Sequence, residues 1–400
     1  MKPHTKGKIE IRRLRPNVTV ADLIDTHFNA YNAARVQEIC HLMHRKVMRP
    51  RVTVGLSLSG ALIPAGLGSM LIPMIEKGFV DYIISTGANL YHDLHFGLGF
   101  DLWRSSPFLD DVDLHRRRLI RIYDIIFDLD VLLKSDSFLF SLVGAPEFQK
   151  KMATSELHHL IGRYVDAVER KTGRRGTTLL GAAYRCRVPI YTSSPGDSTI
   201  GMNLAARSLT GNKLEIDVAL DVNESAAMVY EAKRRGESAV VILGGGSPKN
   251  FLLQTEPQLQ EVLGLDVTGH DYFVQITDAR ADTGGLSGAT PGEAVSWGKI
   301  NPDTLPDCVV CYADSTVAFP LVSAYVLTRC RTRPLKRLYD RREQLVSRMT
   351  RDFLRARHAG KRSSRGTIGS GKPPKASRKP VAASSGRPSL SSKRRNQGGH

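Results

Sequence analysis

A chain of 400 residues with 41% hydrophobic content is long enough to bury a large core, so its folding needs no disulfide or metal staple. Its five cysteines, Cys40, Cys186, Cys308, Cys311 and Cys330, are scattered and odd in number, which argues against a disulfide framework and for a reducing compartment, read here as the cytoplasm. The formal charge of +18 is uneven: residues 361–400 hold 11 Lys or Arg and no acid, which leaves +7 for the rest (18 − 11 = 7).

The basic start, MKPHTKGKIEIRRLRPN, is not followed by the apolar run of a secretory signal, so secretion is not expected. From Val20 to about Met48, Leu23, Ile24, Phe28, Tyr31, Val36, Ile39 and Leu42 recur at helical spacing behind Asp22, which predicts an amphipathic helical cap over residues 1–50. The uncharged stretch Val52 to Ile75 is long enough to imitate a membrane span, but Pro64, Pro73, four glycines and three serines suit a buried strand, turn and helix better. No membrane association is expected.

Short apolar runs then alternate with helical stretches: Arg51 to Ser57, Val80 to Ser85, Val188 to Thr192, Leu214 to Val218, Ala239 to Leu243, Tyr272 to Ile276 and Cys308 to Tyr312. Repeated βα alternation predicts an α/β, doubly wound, mostly parallel sheet with helices on both faces, occupying residues 51–345. Cys308 and Cys311 form the only C-x-x-C; without a second pair or a nearby His, and between valines, they read as part of a buried strand, and no metal site is expected. Residues 346–400 read as the end of a helix followed by a disordered basic tail rich in Ser, Gly and Pro. That tail would suit a nucleic-acid tether through phosphate neutralisation, although a solubilising extension is the plainer reading.

The predicted strand ends are chemically specialised: STGANLYHD, SSPGDSTIG, GGGSPKN, TDARADTGGLSGATPGEAVSWGK and ADSTVAFP. Open α/β sheets bind ligands outside these ends, where glycines and short polar residues let backbone N–H groups approach a phosphate or ribose. Neither a P-loop nor a clean G-x-G-x-x-G follows any strand. Pattern alone therefore reaches only a nucleotide-binding α/β fold.

The segments GEAVSWGKI (Gly292 to Ile300) and YADSTVAFPL (Tyr312 to Leu321) resemble the most characteristic stretch of the deoxyhypusine synthase family. GGGSPKNF (Gly244 to Phe251) is similar to its glycine-rich strand end, and VDYIISTGANLYHDL (Val80 to Leu94) to its nicotinamide-contacting segment; the resemblance spans about Val20 to Pro334. It implies a Rossmann-like fold, NAD as cofactor, a polyamine substrate and a homotetramer with interfacial sites. In that family spermidine is oxidised to an imine, its aminobutyl end passes to a lysine, and the fragment moves to an acceptor amine before reduction.

The resemblance makes Lys299 the covalent carrier. Transimination needs a neutral amine, yet only about one lysine in a thousand is neutral near pH 7.4, so the site must lower its pKa. Glu293 and Trp297, four apart, would share a helix face, pairing a substrate ammonium and walling its methylene chain. Ser59, Gly60, Ala61, Leu62, Ile63, Thr86, Gly87, Ala88, Asp197, Gly245, Asp278, Ala279, Asp314 and Ser315 stand at the family's dinucleotide contacts. For each acid, a turn or helix cap is the plain alternative.

The departures bear on substrate choice. Asn250 stands where eukaryotic members have a histidine, His92 (after Tyr91) where they have a glutamate, and Met202 and Leu286 where they have polyamine-binding acids. Asp278 and Asp282 are candidate replacements for the lost charge. Asn250 and Tyr91 are read as substrate contacts, and His92, or nearby His95, as the acid/base near neutral pH. The expected activity is NAD-dependent aminobutyl transfer to a protein lysine or, as in homospermidine synthases, to putrescine. A non-catalytic nucleotide- or polyamine-binding protein with an RNA-binding tail is the alternative from another class.

Overall fold

A computed structural model describes the chain from residue 8 to residue 365, with side chains to residue 358. Six parallel strands form the central sheet: β1 (Val52–Leu58), β2 (Tyr82–Ser85), β3 (Ile190–Thr192), β4 (Glu237–Leu243), β5 (Tyr272–Thr277) and β6 (Cys308–Tyr312). Their order across the sheet is 3-2-1-4-5-6, every neighbouring pair being parallel. This is the doubly wound arrangement, with the order reversing between β1 and β4.

Alternate side chains explain why these strands read as continuous apolar runs. Val54, Leu56, Val241, Val274 and Ile276 join one buried cluster with Leu71, Phe319 and Val322 from helices on that face. Tyr82, Ile84, Val240, Ile242 and Phe273 join a second cluster with Ala226, Leu252, Leu345 and Met349 from the other. Both faces are covered, as a parallel sheet requires.

The stretch from Val52 to Ile75 forms β1, a turn and most of the helix Gly68–Glu76, and among the described residues no helix is long and apolar enough to cross a membrane. Cys308 and Cys311 lie on β6. Among the described residues no group of three or more potential ligands is arranged to hold a metal.

The N-terminal cap is helical as expected, one expected strand needs correction, and one small sheet was not foreseen. The N-terminal run is two helices, Val20–His27 and Tyr31–Leu42, because Asn29 folds its side-chain amide onto the His27 carbonyl (3.1 Å) and its backbone N–H bonds the same oxygen. Tyr31 takes φ +53° and is exposed, outside the buried stripe. The expected strand Leu214 to Val218 shrinks to Glu215–Ile216, paired with Lys151–Met152 outside the central sheet, because Asp217 caps the helix Val218–Arg235 by accepting from the Ala219 N–H at 2.9 Å. Between β2 and β3 lies a three-stranded sheet built from Trp103–Arg104, Ile125–Asp128 and Leu119–Ile122, which the apolar pattern did not announce.

Among the described residues the compact unit runs to Arg357, and a second unit begins at His358. The helix Leu338–Arg365 extends into the stretch read as tail. The remainder of that expectation, from residue 366, lies outside the described residues.

Candidate active site

Register brings the first polar loops together. Leu58 of β1 faces Leu243 of β4, so Ser59 and Gly244 leave the sheet side by side at the reversal point. Ser59 Oγ accepts from the Gly245 N–H at 3.0 Å and also bonds its carbonyl. Gly244 (φ +77°) and Gly246 (φ +57°) turn the chain into the helix Gly246–Pro257. A Cβ on Gly245 would stand 2.4 Å from the backbone of Ser287, so only glycine lets the two loops meet.

A second helix, Gly87–Gly97, starts beside this turn; Thr86 caps it and donates its hydroxyl to the Gly60 carbonyl at 2.7 Å. Two helix N-termini and a glycine turn thus stand at this end of the sheet, and Asp197 and Asp278 are exposed on the loops that follow β3 and β5, groups of the kind that can hold the phosphates and riboses of a dinucleotide. Several of the expected contact residues also hold the loops together. The Leu62 and Ile63 N–H groups already donate to Asn89 Oδ1, at 2.7 and 3.1 Å, so these residues brace the loop. Asp314 Oδ1 accepts from the Thr316 N–H at 2.7 Å, and the Ser315 hydroxyl donates to the Ile276 carbonyl at 3.2 Å; both serve the start of the helix Ser315–Arg329. Ala279 follows β5 with its N–H on Thr277 Oγ1.

Next to the glycine turn is a cavity of about 280 Å³ lined by, among others, Lys249, Asn250, Phe273, Glu293, Trp297 and Lys299. Local chemistry builds its outer wall. Thr290 caps the helix Pro291–Ser296 by accepting from the Glu293 N–H. Gly298 (φ +65°) ends it, with its N–H on the Val295 carbonyl at 3.0 Å and the Lys299 N–H on Ala294 at 2.9 Å. This paired C-terminal closure needs a left-handed residue, which is why SWGK has glycine before its lysine. Glu293 and Trp297 consequently share the cavity side, as their spacing predicts.

Desolvation lowers the pKa of Lys299, opposed by the Glu293 and Glu261 carboxylates. The Lys299 Nζ lies 5.5 Å from the centre of the Trp297 ring. The inner wall holds a second lysine that sequence reading did not single out. Lys249 is buried, and its ammonium donates to Gln275 Oε1 (3.0 Å) and to the Ser287 (3.3 Å) and Ala289 (2.7 Å) carbonyls. Burial pushes its pKa down to about 8, with Glu293 opposing and Lys299 adding to the fall. One signal was available: Lys249 lies one turn before Leu253, a buried position of the same helix.

Glu293 is thus the single carboxylate among the lining residues, against two lysines. Leu286 lines the cavity, while Met202 is exposed on another helix. Asp282 does not replace the lost acids: it pairs with Arg280 at 2.7 Å on the surface. Tyr91 and His92 are not among the lining residues. The Tyr91 hydroxyl donates to Asp136 at 2.8 Å, and His92 packs edge-on against Tyr91, His95 and Phe127, where burial lowers its pKa. His95 lies deeper, bonded to Ser135 at 2.8 Å, with its pKa pushed down to about 3 by desolvation and His92.

Comparison with known proteins gives the family. Residues 22–326 match the family profile described as deoxyhypusine synthase. The chain is 60% identical over 356 residues to a deoxyhypusine synthase-like protein of Cyanothece sp., covering 87% of this chain and 89% of that protein. It is 36% identical over 327 residues to a Methanosarcina acetivorans protein named Probable deoxyhypusine synthase 2, covering 80% and 90%. A crystal structure of an Entamoeba histolytica protein assigned as a deoxyhypusine synthase superposes with a TM-score of 0.55 at 14% identity over 81% of this chain and 98% of that one, a likeness of fold.

Proposed function

Because this chain belongs to the deoxyhypusine synthase family, we propose that it is a transferase moving an aminobutyl group from a spermidine-like polyamine to an acceptor amine, with NAD as cofactor and Lys299 as the covalent carrier. One observation carries the reading: the Lys299 amine borders a cavity beside Glu293 and Trp297, in surroundings that lower its pKa. An amine biased towards its neutral form can attack an imine carbon.

Each lining residue has a part. Glu293 accepts the ammonium end of the donor, and the Trp297 indole flanks its methylene chain. Lys249 spends its three N–H donors on the wall and contributes fixed positive charge. Asn250 offers hydrogen bonds without proton transfer. Bound NAD, held by the residues at the glycine turn and the Thr86 cap, would remove and return a hydride at the carbon next to the amine nitrogen. With Glu293 as the one carboxylate lining it, this chain's cavity pairs one ammonium of the polyamine. His92 and Tyr91 stand apart from this chain's cavity; a homotetramer with interfacial sites, which the family implies, is the assembly in which they would contribute.

Borohydride trapping tests the carrier. Radiolabelled spermidine with NAD should label the wild type on the Lys299 peptide and leave Lys299→Ala unlabelled; equal labelling of both rejects the mechanism. Mass spectrometry of products with putrescine present then identifies the acceptor: homospermidine marks a small amine, and its absence alongside labelling of an initiation factor marks a protein lysine.

A further inference from the structure

The helix Gly246–Pro257 serves the cavity twice. Lys249, Asn250, Leu253 and Gln254 face the cavity from it. Beyond Pro257 the chain continues as one π-helical stretch, Gln258–Val262, a wider winding often found at functional sites. That extra width places the Gln260 side chain against the Lys299 turn: its Nε2 donates to the Gly298 carbonyl at 2.8 Å and to Glu256 Oε2 at 3.3 Å. The fit is close, since a Cβ on Gly298 would lie 2.7 Å from Gln260 Oε1.

Glu256 backs this contact from the core. It is fully buried, its Oε1 has no hydrogen-bond partner, and His270 Nδ1 is 3.7 Å away. The His270 backbone also pins the chain after the turn, its N–H donating to the Lys299 carbonyl at 3.0 Å and its carbonyl accepting from the Asn301 N–H at 3.0 Å. These backbone bonds fix Lys299 from behind, and Gln260 is the side chain that fixes the carbonyl immediately before it. A half-buried amide with both donors engaged and a buried carboxyl behind it is an arrangement for holding a turn in one orientation.

We propose that Gln260, braced by Glu256, is a positioning residue that aims the Gly298 turn so that the Lys299 amine is held along the Trp297 indole at the cavity. This rests on the reading of Lys299 as the reacting amine. The charged and titratable groups facing this contact are Glu256, with His270, Lys233 and Asp271 acting on that buried pair, and Lys299, with Glu261 acting on it from the outer side.

The test uses the full chain with Gln260→Leu and Gln260→Glu. Reductive methylation of Lys299 across pH, read by peptide mass spectrometry, needs neither NAD nor polyamine. In Gln260→Leu the Lys299 midpoint should rise towards that of exposed lysines, and kcat should fall on the order of tenfold to a hundredfold with KM changed less than about twofold, as expected when a reacting group is misplaced. In Gln260→Glu the side chain can donate to the Gly298 carbonyl only while protonated, so its activity relative to wild type should recover as pH falls. An unchanged midpoint and kcat in Gln260→Leu, or a pH-independent activity ratio in Gln260→Glu, overturns the proposal. If Gln260→Leu does not fold, Gln260→Glu decides. Should the wild type trap no donor at all, the transferase reading fails, while the methylation curves still judge Gln260.

Discussion

The Lys299 Nζ stands 5.5 Å from the centre of the Trp297 ring, two residues earlier in the chain and across the left-handed turn at Gly298. The indole is 59% exposed, enough to present a face to the cavity while shielding one side of the amine. Replacing it with alanine should lower kcat/KM for the donor about fivefold to tenfold, with Trp297→Phe retaining most of the activity. Steady-state kinetics with the two variants checks this.

The same amine sets a pH dependence. Only its neutral form attacks, and its pKa lies below the ordinary lysine value, so the trapping rate should climb with pH and level off before pH 10.5. A single-turnover series from pH 6.5 to 10 measures the midpoint. Lys299→Arg should be inactive at every pH, since a guanidinium has no neutral form to offer.

Lys249 ties β5 to the loop carrying Ser287 and Ala289. In Lys249→Met three acceptors lose their donor, a cost of about 1–3 kcal/mol. The melting temperature should fall, and amide exchange over residues 286–291 should quicken more than elsewhere.

Arg333 anchors the opposite end of the sheet. Its guanidinium lies 2.9 Å from Asp81 Oδ2, both side chains buried, and also donates to the Gly78 (2.6 Å) and Val52 (3.0 Å) carbonyls. Arg333→Ala removes the nearer of Asp81's two cationic partners, leaving Lys336 at 3.9 Å, and should destabilise the protein by about 3 kcal/mol in denaturant unfolding.

Glu256 makes stability depend on pH in the opposite sense to a salt-bridged acid. Burial raises its pKa from 4.5 to about 8. Between those values the folded state binds a proton that the unfolded state has released, so its contribution is full below 4.5 and is lost as pH rises through about 8. Glu256→Gln, which has no proton to lose, should gain melting temperature relative to wild type as pH goes from 5 to 8.5; a constant difference would contradict the assignment.

Legibility followed the range of the interaction. β1, β2, β4, β5 and β6 were readable because both faces of a parallel sheet are covered, so whole runs are apolar. Leu214 to Val218 misled because its alternation ends in Asp217, which begins a helix. The Val20 to Met48 run looked continuous because periodicity cannot register a side chain that folds back, as Asn29 does.

The sequence by itself determined the alternation of strands and helices, the glycine turn after β4, and the Thr290 cap and Gly298 closure that bracket Glu293, Trp297 and Lys299, since each depends on residues within a few positions of one another. Only the tertiary structure decided that Lys249 joins Lys299 in one cavity, that Gln260 reaches Gly298, and that Tyr91 and His92 turn towards the Leu129–Leu142 helix and Phe127. The direction a side chain takes from its helix is set by what packs against it, and those partners lie tens of residues away, beyond the reach of any local spacing.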